Sequence, residues 1–288
     1  MKRDFAIVVD GAIDLPDIVG KSHTVETVVG TLRFDDEDVS SLSLDDILEE
    51  AKRTGKLPRP GIPSPGKFLE VYEKLGKIYP YVLSAHTTSR ISGMFNSARI
   101  ASKLYSGSAK IILVDTETSS LAAGLAILES IRIGGSPEEI ADNIKKNARR
   151  TGLLFYLPHV ESLMRIRPID GLKRILRGEV SLTDALRMFK NRGQGYLLTL
   201  QEGKINLIDT SPSPEDAQNK ILSFLKEKTE GKIKHLAVGY LLRKNEAENL
   251  AHNLYKNFGI KPFIIRMSTM VMAGAGPELW GTAYLKKE

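Results

Sequence analysis

The chain has 288 residues, 42% of them hydrophobic, no cysteine, and 41 Lys and Arg against 35 Asp and Glu, a formal net charge of +6. The missing thiols exclude disulfides, thiolate metal sites and cysteine nucleophiles, and no apolar run approaches the roughly 20 residues of a membrane helix. The basic residues are spread over the whole length without interleaved aromatics, so solvated helix faces account for the charge and no nucleic-acid partner is expected.

In chain order, the apolar run 5–9 ends in Asp10 and Gly11 and reads as a buried strand. It is too short for a secretion signal, which makes the cytoplasm the expected location. Asp14-Leu15-Pro16 is a turn with proline placed to start a helix. Ser43-Leu44-Asp45-Asp46 resembles a capping box and opens a helix to about Thr54. Residues 56–63 hold three prolines and read as a loop. Ser64 is an N-cap with Pro65 at the first helical position, and Phe68, Leu69, Tyr72 and Leu75 give that helix an apolar face. A strand at 79–85 precedes a helix from Met94, and a strand at 110–114 ends in Asp115. Thr118, Ser119 or Ser120 caps a helix over 121–133 that lacks a polar face before Glu129, so it is expected to be central. Ser136-Pro137-Glu138-Glu139 caps another helix to about Arg150. Strands and helices alternating through short links predict a parallel sheet.

Beyond residue 151 the pattern changes. A strand at 152–157 is followed by a helical stretch at 159–177 broken at Pro168. Two β-rich runs, 195–200 and 205–210, flank Gln201-Glu202-Gly203-Lys204 and predict an antiparallel hairpin. A helix to about Lys228, a strand at 233–241, a helix at 245–258 and strands at 263–267 and 281–285 complete the chain. The predicted class is α/β: residues 1–151 form a parallel-sheet domain with flanking helices, residues 152–288 a smaller α+β domain, with a ligand between them.

The loop His86-Thr87-Thr88-Ser89-Arg90-Ile91-Ser92-Gly93 carries the clearest chemistry. It joins a strand end to a helix start, where an α/β sheet places its ligands and a helix N-terminus favours an anion. Asp10 and Asp115 also end strands, and either could orient loop hydroxyls or merely accept turn N–H groups. Of five histidines, His86 alone sits in the loop. No histidine pair has metal spacing, no phosphate loop follows a strand, and no nucleophile elbow is present. No metal and no cofactor is expected. Met267, Met270 and Met272 read as core residues that, with Met94 and Phe95, are also suited to line an apolar tunnel.

Several blocks carry a resemblance. Val8-Val9-Asp10-Gly11-Ala12-Ile13-Asp14-Leu15-Pro16, Ile62-Pro63-Ser64-Pro65-Gly66-Lys67-Phe68, Thr88 through Ala98, Val114 through Gly124, and Gly276-Pro277 with Gly281 resemble the motifs of the DegV family of fatty-acid-binding proteins. The resemblance implies an α/β domain joined to a smaller α+β domain with a long-chain fatty acid between them. It implies Ser64, Thr88, Ser89 and Ser92 as carboxylate partners, with Gly93 in the same motif loop; Arg90, where the family commonly has a small or neutral residue, is placed to compensate by pairing with the carboxylate, and Gly276 in the run 274–277 reads as a close backbone approach to a ligand or to the other domain. It also implies delivery of the acid to a separate kinase resembling dihydroxyacetone kinase. The chain departs from the family at Gly11 and Ala12 (Ser and Thr), Met94 (Thr), Gly274 (His) and Glu278 (Gly). Those changes remove partners from the carboxylate end, so lipid binding is the main expectation and acyl-phosphate handling the lesser. Two alternatives stay open at this point: an enzyme, phosphotransferase or hydrolase, using His86 with Asp10 or Asp115, and a member with an altered ligand. Burial of an acyl chain gains about 0.8 kcal/mol per CH₂, roughly 10 kcal/mol for sixteen carbons before ordering costs.

Overall fold

Strand β1 (Phe5–Asp10) is buried at every position, as the apolar run requires of a strand covered on both faces. It pairs in parallel with β2 (Val25–Val28) and β6 (Tyr81–His86), and β6 pairs in parallel with β7 (Lys110–Asp115), giving the order β2-β1-β6-β7. The computed structural model describes residues 4–158, 195–201 and 203–288; the helical stretch expected at 159–177 lies outside them. Alternate residues of β1 face opposite layers. Ala6 and Val8 meet Phe68, Tyr72, Ala98 and Ala101 of α3 (Pro65–Gly76) and α4 (Met94–Leu104). Ile7 and Val9 meet Ile127, Ile140 and Ile144 of α5 (Ser120–Ile133) and α6 (Pro137–Ala148).

Helix α1 (Asp17–Ser22) packs Val19 into this layer, and α2 (Leu44–Thr54) packs Ile47, Leu48 and Ala51 on the side of the mixed sheet. The capping box of α2 is present as expected: Asp46 N–H donates to Ser43 Oγ at 3.2 Å and Ser43 N–H to Asp46 Oδ2 at 3.2 Å. Ser43→Ala is expected to lower stability by about 1 kcal/mol, read as a shifted urea midpoint at unchanged slope.

A six-stranded mixed sheet follows, built from β8 (Thr151–Leu157), β9 (Gly195–Gln201), β10 (Lys204–Ser211), β11 (Ile233–Tyr240), β12 (Phe263–Arg266) and β13 (Trp280–Lys286) in the order β10-β9-β8-β13-β11-β12. Only the β11–β12 pair is parallel. The expected hairpin is β9–β10. Helices α7 (Pro214–Thr229) and α8 (Lys244–Phe258) bury one face with Leu154, Tyr156, Leu236 and Trp280. The opposite face, with Leu153, Phe155 and Leu200, turns toward α5 and α2.

Helix α5 is therefore shared by both sheets, which explains its missing polar face. Glu129 is buried there and accepts from Lys234 Nζ at 2.6 Å, with His235 Nε2 at 2.7 Å, so a charge inside the interface is paired. Five short elements depart from the sequence expectation: edge strand β2, the three-stranded antiparallel sheet β4-β3-β5 of β3 (Leu32–Phe34), β4 (Glu37–Asp38) and β5 (Arg59–Pro60), and helix α9 (Thr269–Ala275). The stretch expected as loop at 56–63 thus contains a two-residue strand. None of these is long enough for a period to emerge from its residues.

Candidate functional site

A cavity of about 510 Å³ lies between the carboxyl ends of the parallel strands and the inner face of the mixed sheet. Its polar end is built by two strand-to-helix turns. The β6–α4 turn contributes Thr87, Ser92 and Gly93; the β7–α5 turn contributes Ser119 and Ser120. Gly93 is the N-cap of α4 and Ser119 that of α5. The first N–H groups of two helices have no partner within their own helix, and both termini face the same space.

The strand-end aspartates hold these turns. Asp10 is fully buried and accepts from Thr87 N–H at 2.7 Å, Thr87 Oγ1 at 3.0 Å and Ala12 N–H at 2.9 Å. Asp115 accepts from Ser89 N–H at 3.1 Å and Glu117 N–H at 3.0 Å. Each satisfies loop donors, and Asp10 also orients Thr87. His86 stands behind this wall and does not line the cavity. It is fully buried, its Nε2 is 2.7 Å from Ser84 Oγ, and its ring meets Phe68 edge-on at 5.1 Å. Its Nδ1 lies 3.5 Å from Asp10 Oδ2. The enzyme alternative required His86 to reach a substrate, and the intervening Thr87 turn separates it from the cavity.

Of the residues nominated from sequence, Ser92 and Gly93 line the cavity; Ser64, Thr88, Ser89, Arg90 and Gly276 are not among its lining residues. Ser64 caps α3, its Oγ accepting from Lys67 N–H at 3.4 Å. Thr88 is buried and its N–H donates to Thr118 O at 2.9 Å. Ser89 and Arg90 are exposed. Gly203, at φ +70°, turns the β9–β10 hairpin against them: a Cβ on Gly203 would lie 2.8 Å from Arg90 Cδ and 2.9 Å from Thr88 Oγ1. Gly276, at φ +91°, ends α9 with its N–H on Met272 O at 2.7 Å, while its neighbours Gly274 and Ala275 reach the cavity. Sequence reasoning read Ser119 and Ser120 as caps within a family motif and did not name them as carboxylate partners. Their position, after a strand and before a helix, was the same signal that singled out residues 86–93.

The remaining wall is apolar, formed by Ile62, Ile91, Met94 and Leu121 from the first half and by Leu153, Phe155, Leu200, Ile205, Met267 and Met270 from the second. Three of the methionines named from sequence thus face the cavity, while Met272 is buried in the core. Asp14 fastens the second-half wall to the first. It is buried, accepts from Ser268 N–H at 2.8 Å, just before α9, and from Ser120 Oγ at 2.5 Å. Burial pushes its carboxyl up from the ordinary 3.8 to about 6, against the lowering effect of those hydrogen bonds. The arrangement suits an elongated apolar molecule with one polar end.

Fold and cavity together define an α/β protein with a pocket between its parallel and its mixed sheet, apolar along most of its wall. The family model described as "Uncharacterised protein, DegV family" matches residues 4–287, and the chain belongs to the DegV family. A DegV domain-containing protein of Clostridium perfringens is 22% identical over 290 residues, covering 98% of each chain. The crystal structure of a DegV lipid binding protein from Thermotoga maritima superposes with a TM-score of 0.81 at 19% identity, covering 99% of this chain and 100% of that one. DegV of Bacillus subtilis, described as a fatty acid binding protein, gives 0.79 at 22% identity with 99% of each chain covered. The fold is shared from end to end.

Proposed function

We propose that this protein binds a long-chain fatty acid as a carrier, with the carboxylate at the hydroxyl end of the cavity and the acyl tail along the mixed sheet. The observation that carries the reading is the segregation of the lining. Every hydroxyl comes from residues before 151, on turns that open helices, and most of the apolar wall comes from residues after 152. This supports the division into a head-group domain, 1–151, and a domain covering the acyl chain, 152–288. Solved relatives described as lipid and fatty acid binding proteins share the fold. We assign direct contact to Ser92 and Gly93, joined by Thr87, Ser119 and Ser120, and give Ser64, Thr88, Ser89, Arg90 and Gly276 the task of holding the loops.

The proposal extends to presentation of the carboxylate to a separate kinase resembling dihydroxyacetone kinase, supported by the exposure of Ser89 and Arg90 beside the polar end. It places the protein in the cytoplasm. Among the described residues, no helix is long and apolar enough to cross a membrane.

Native mass spectrometry after mild purification, with lipid extraction, tests the reading. A stoichiometric acyl chain supports it; an empty protein that also fails to bind added palmitate overturns it. Ser92→Ala is expected to weaken palmitate binding about tenfold, the loss of one hydrogen bond to a charged group. Ser89→Ala serves as the contrast and is expected to leave affinity within about twofold, because removing a hydroxyl that meets no ligand takes away no hydrogen bond.

A further inference from the structure

Most of the hydroxyl hydrogens at the polar end already have acceptors. An ionised carboxylate only accepts, so any hydroxyl beside it must donate to it. Thr87 gives its hydrogen to Asp10 at 3.0 Å and Ser120 gives its own to Asp14 at 2.5 Å. Ser119 donates to Ala12 O at 3.3 Å. These three hydroxyls therefore turn lone pairs toward the cavity. Ser92, which accepts from Met94 N–H at 3.3 Å, keeps its hydrogen available. Two buried carboxylates stand directly behind the place where the ligand's negative head is proposed to sit, and in a poorly solvated site like charges repel strongly.

We propose that the cavity takes up one proton together with its anionic ligand, that Asp14 receives it, and that Asp14 thereby determines which head groups the site accepts. The inference rests on the fatty-acid reading and specifies the protonation state of the complex. The proton comes from solvent and forms an O–H bond on Asp14. That O–H then donates to Ser120 Oγ, reversing their hydrogen bond. The hydroxyl hydrogen of Ser120 is freed to rotate toward the ligand carboxylate. Net charge at the polar end is unchanged by binding, and one lone-pair face becomes a donor.

Asp14 rather than Asp10 is the acceptor because of their surroundings. Asp10 collects two backbone N–H groups and a hydroxyl, with His86 Nδ1 at 3.5 Å. Asp14 has one backbone N–H, that of Ser268, and the hydroxyls of Ser120 and Ser268. From the elements around it, Asp14 meets Ser120 on α5 and Ser268 before α9. The charge felt from its own segment is that of Asp10, which also disfavours ionisation, and Arg266, two residues before Ser268, is committed to Asp45. Burial already holds the Asp14 carboxyl up near 6, so at neutral pH the empty site has it ionised and ready to take a proton.

Isothermal titration in two buffers of different ionisation enthalpy counts protons taken up. Hexadecyl sulfonate, whose head stays anionic, reports the protein's proton alone; palmitate is run beside it. The wild type is expected to take up close to one proton with the sulfonate at pH 7.5, with affinity falling about tenfold per pH unit above pH 6. Asp14→Asn, whose amide donates to Ser120 permanently, is expected to bind the sulfonate with no proton uptake, a flat pH profile and at least tenfold higher affinity at pH 7.5. Sulfonate binding by the wild type without proton uptake overturns the inference while leaving the fatty-acid reading intact. So does palmitate binding without sulfonate binding at any pH, which would put the proton on the ligand. Failure of both ligands at every pH removes the fatty-acid reading and this inference with it. The wild-type proton count stands whether or not the variant folds.

Discussion

Ala275→Phe is expected to weaken palmitate binding by about two orders of magnitude while the protein stays folded. Ala275 closes α9, is buried, and lines the cavity. A phenyl ring there occupies the room of roughly four methylenes. At about 0.8 kcal/mol for each CH₂ kept out of the wall, the acyl chain loses roughly 3 kcal/mol, or some two hundredfold in affinity. An eight-carbon acid, which need not extend as far, is expected to lose much less, so the ratio of palmitate to octanoate affinity is the measurement. Gly281 also lines the cavity but is unsuitable for the purpose: a Cβ there would lie 2.2 Å from Leu154 O in the neighbouring strand, and the sheet would yield first. The thermal midpoint of Ala275→Phe checks that the ring fills space instead of unfolding the chain. An unchanged palmitate affinity would move the acyl chain to another part of the molecule.

The cavity's polar end could be read from sequence because it is a local object. A strand, a hydroxyl-rich turn and a helix start follow one another at 79–104, and the physics that brings anions to helix N-termini needs nothing from elsewhere in the chain. The same pattern stands at Asp115 through Ser120, where the hydroxyls read as caps of a buried helix and not as ligand partners. Which hydroxyls face the cavity was not legible. Thr88 and Ser89 differ from Thr87 and Ser92 only in how the turn is wound, and that winding is set by two carboxylates, Asp10 and Asp115, whose partners lie 77 and 26 residues away. The apolar wall was hidden for a related reason. Met270 lies in a seven-residue helix and Met267 just before its N-cap, so neither carries a periodic signal, and only their attachment through Ser268 to Asp14, 254 residues back, turns them toward the ligand space. The fold class survived because its long elements each announce their own period, whereas β3, β4 and β5, of three, two and two residues, exist by pairing alone.

Asp14 is expected to make stability fall as pH rises from about 4 to about 6, by about 3 kcal/mol relative to Asp14→Asn. The carboxyl titrates near its ordinary 3.8 when unfolded and near 6 when folded, because burial penalises its charge. Below 3.8 both states hold the proton and the residue contributes nothing to the pH dependence. Between 3.8 and 6 the folded state binds more protons than the unfolded state, so each rise in pH costs stability; above 6 both are ionised and the loss is complete. A gap of about two pH units at 1.36 kcal/mol each gives the figure. The difference between wild type and variant isolates Asp14 from exposed carboxylates such as Asp35 and Asp45, whose pairing with Lys56 and Arg266 shifts them the other way and is common to both proteins. Urea midpoints at pH 4, 5, 6 and 7 measure it. Parallel curves for the two proteins would show that Asp14 carries no buried charge at neutral pH, and would also take away the proton acceptor proposed for ligand binding. A diverging pair, with the wild type gaining most from added palmitate at the acid end of the range, is the result expected if folding and binding both draw on the same buried proton.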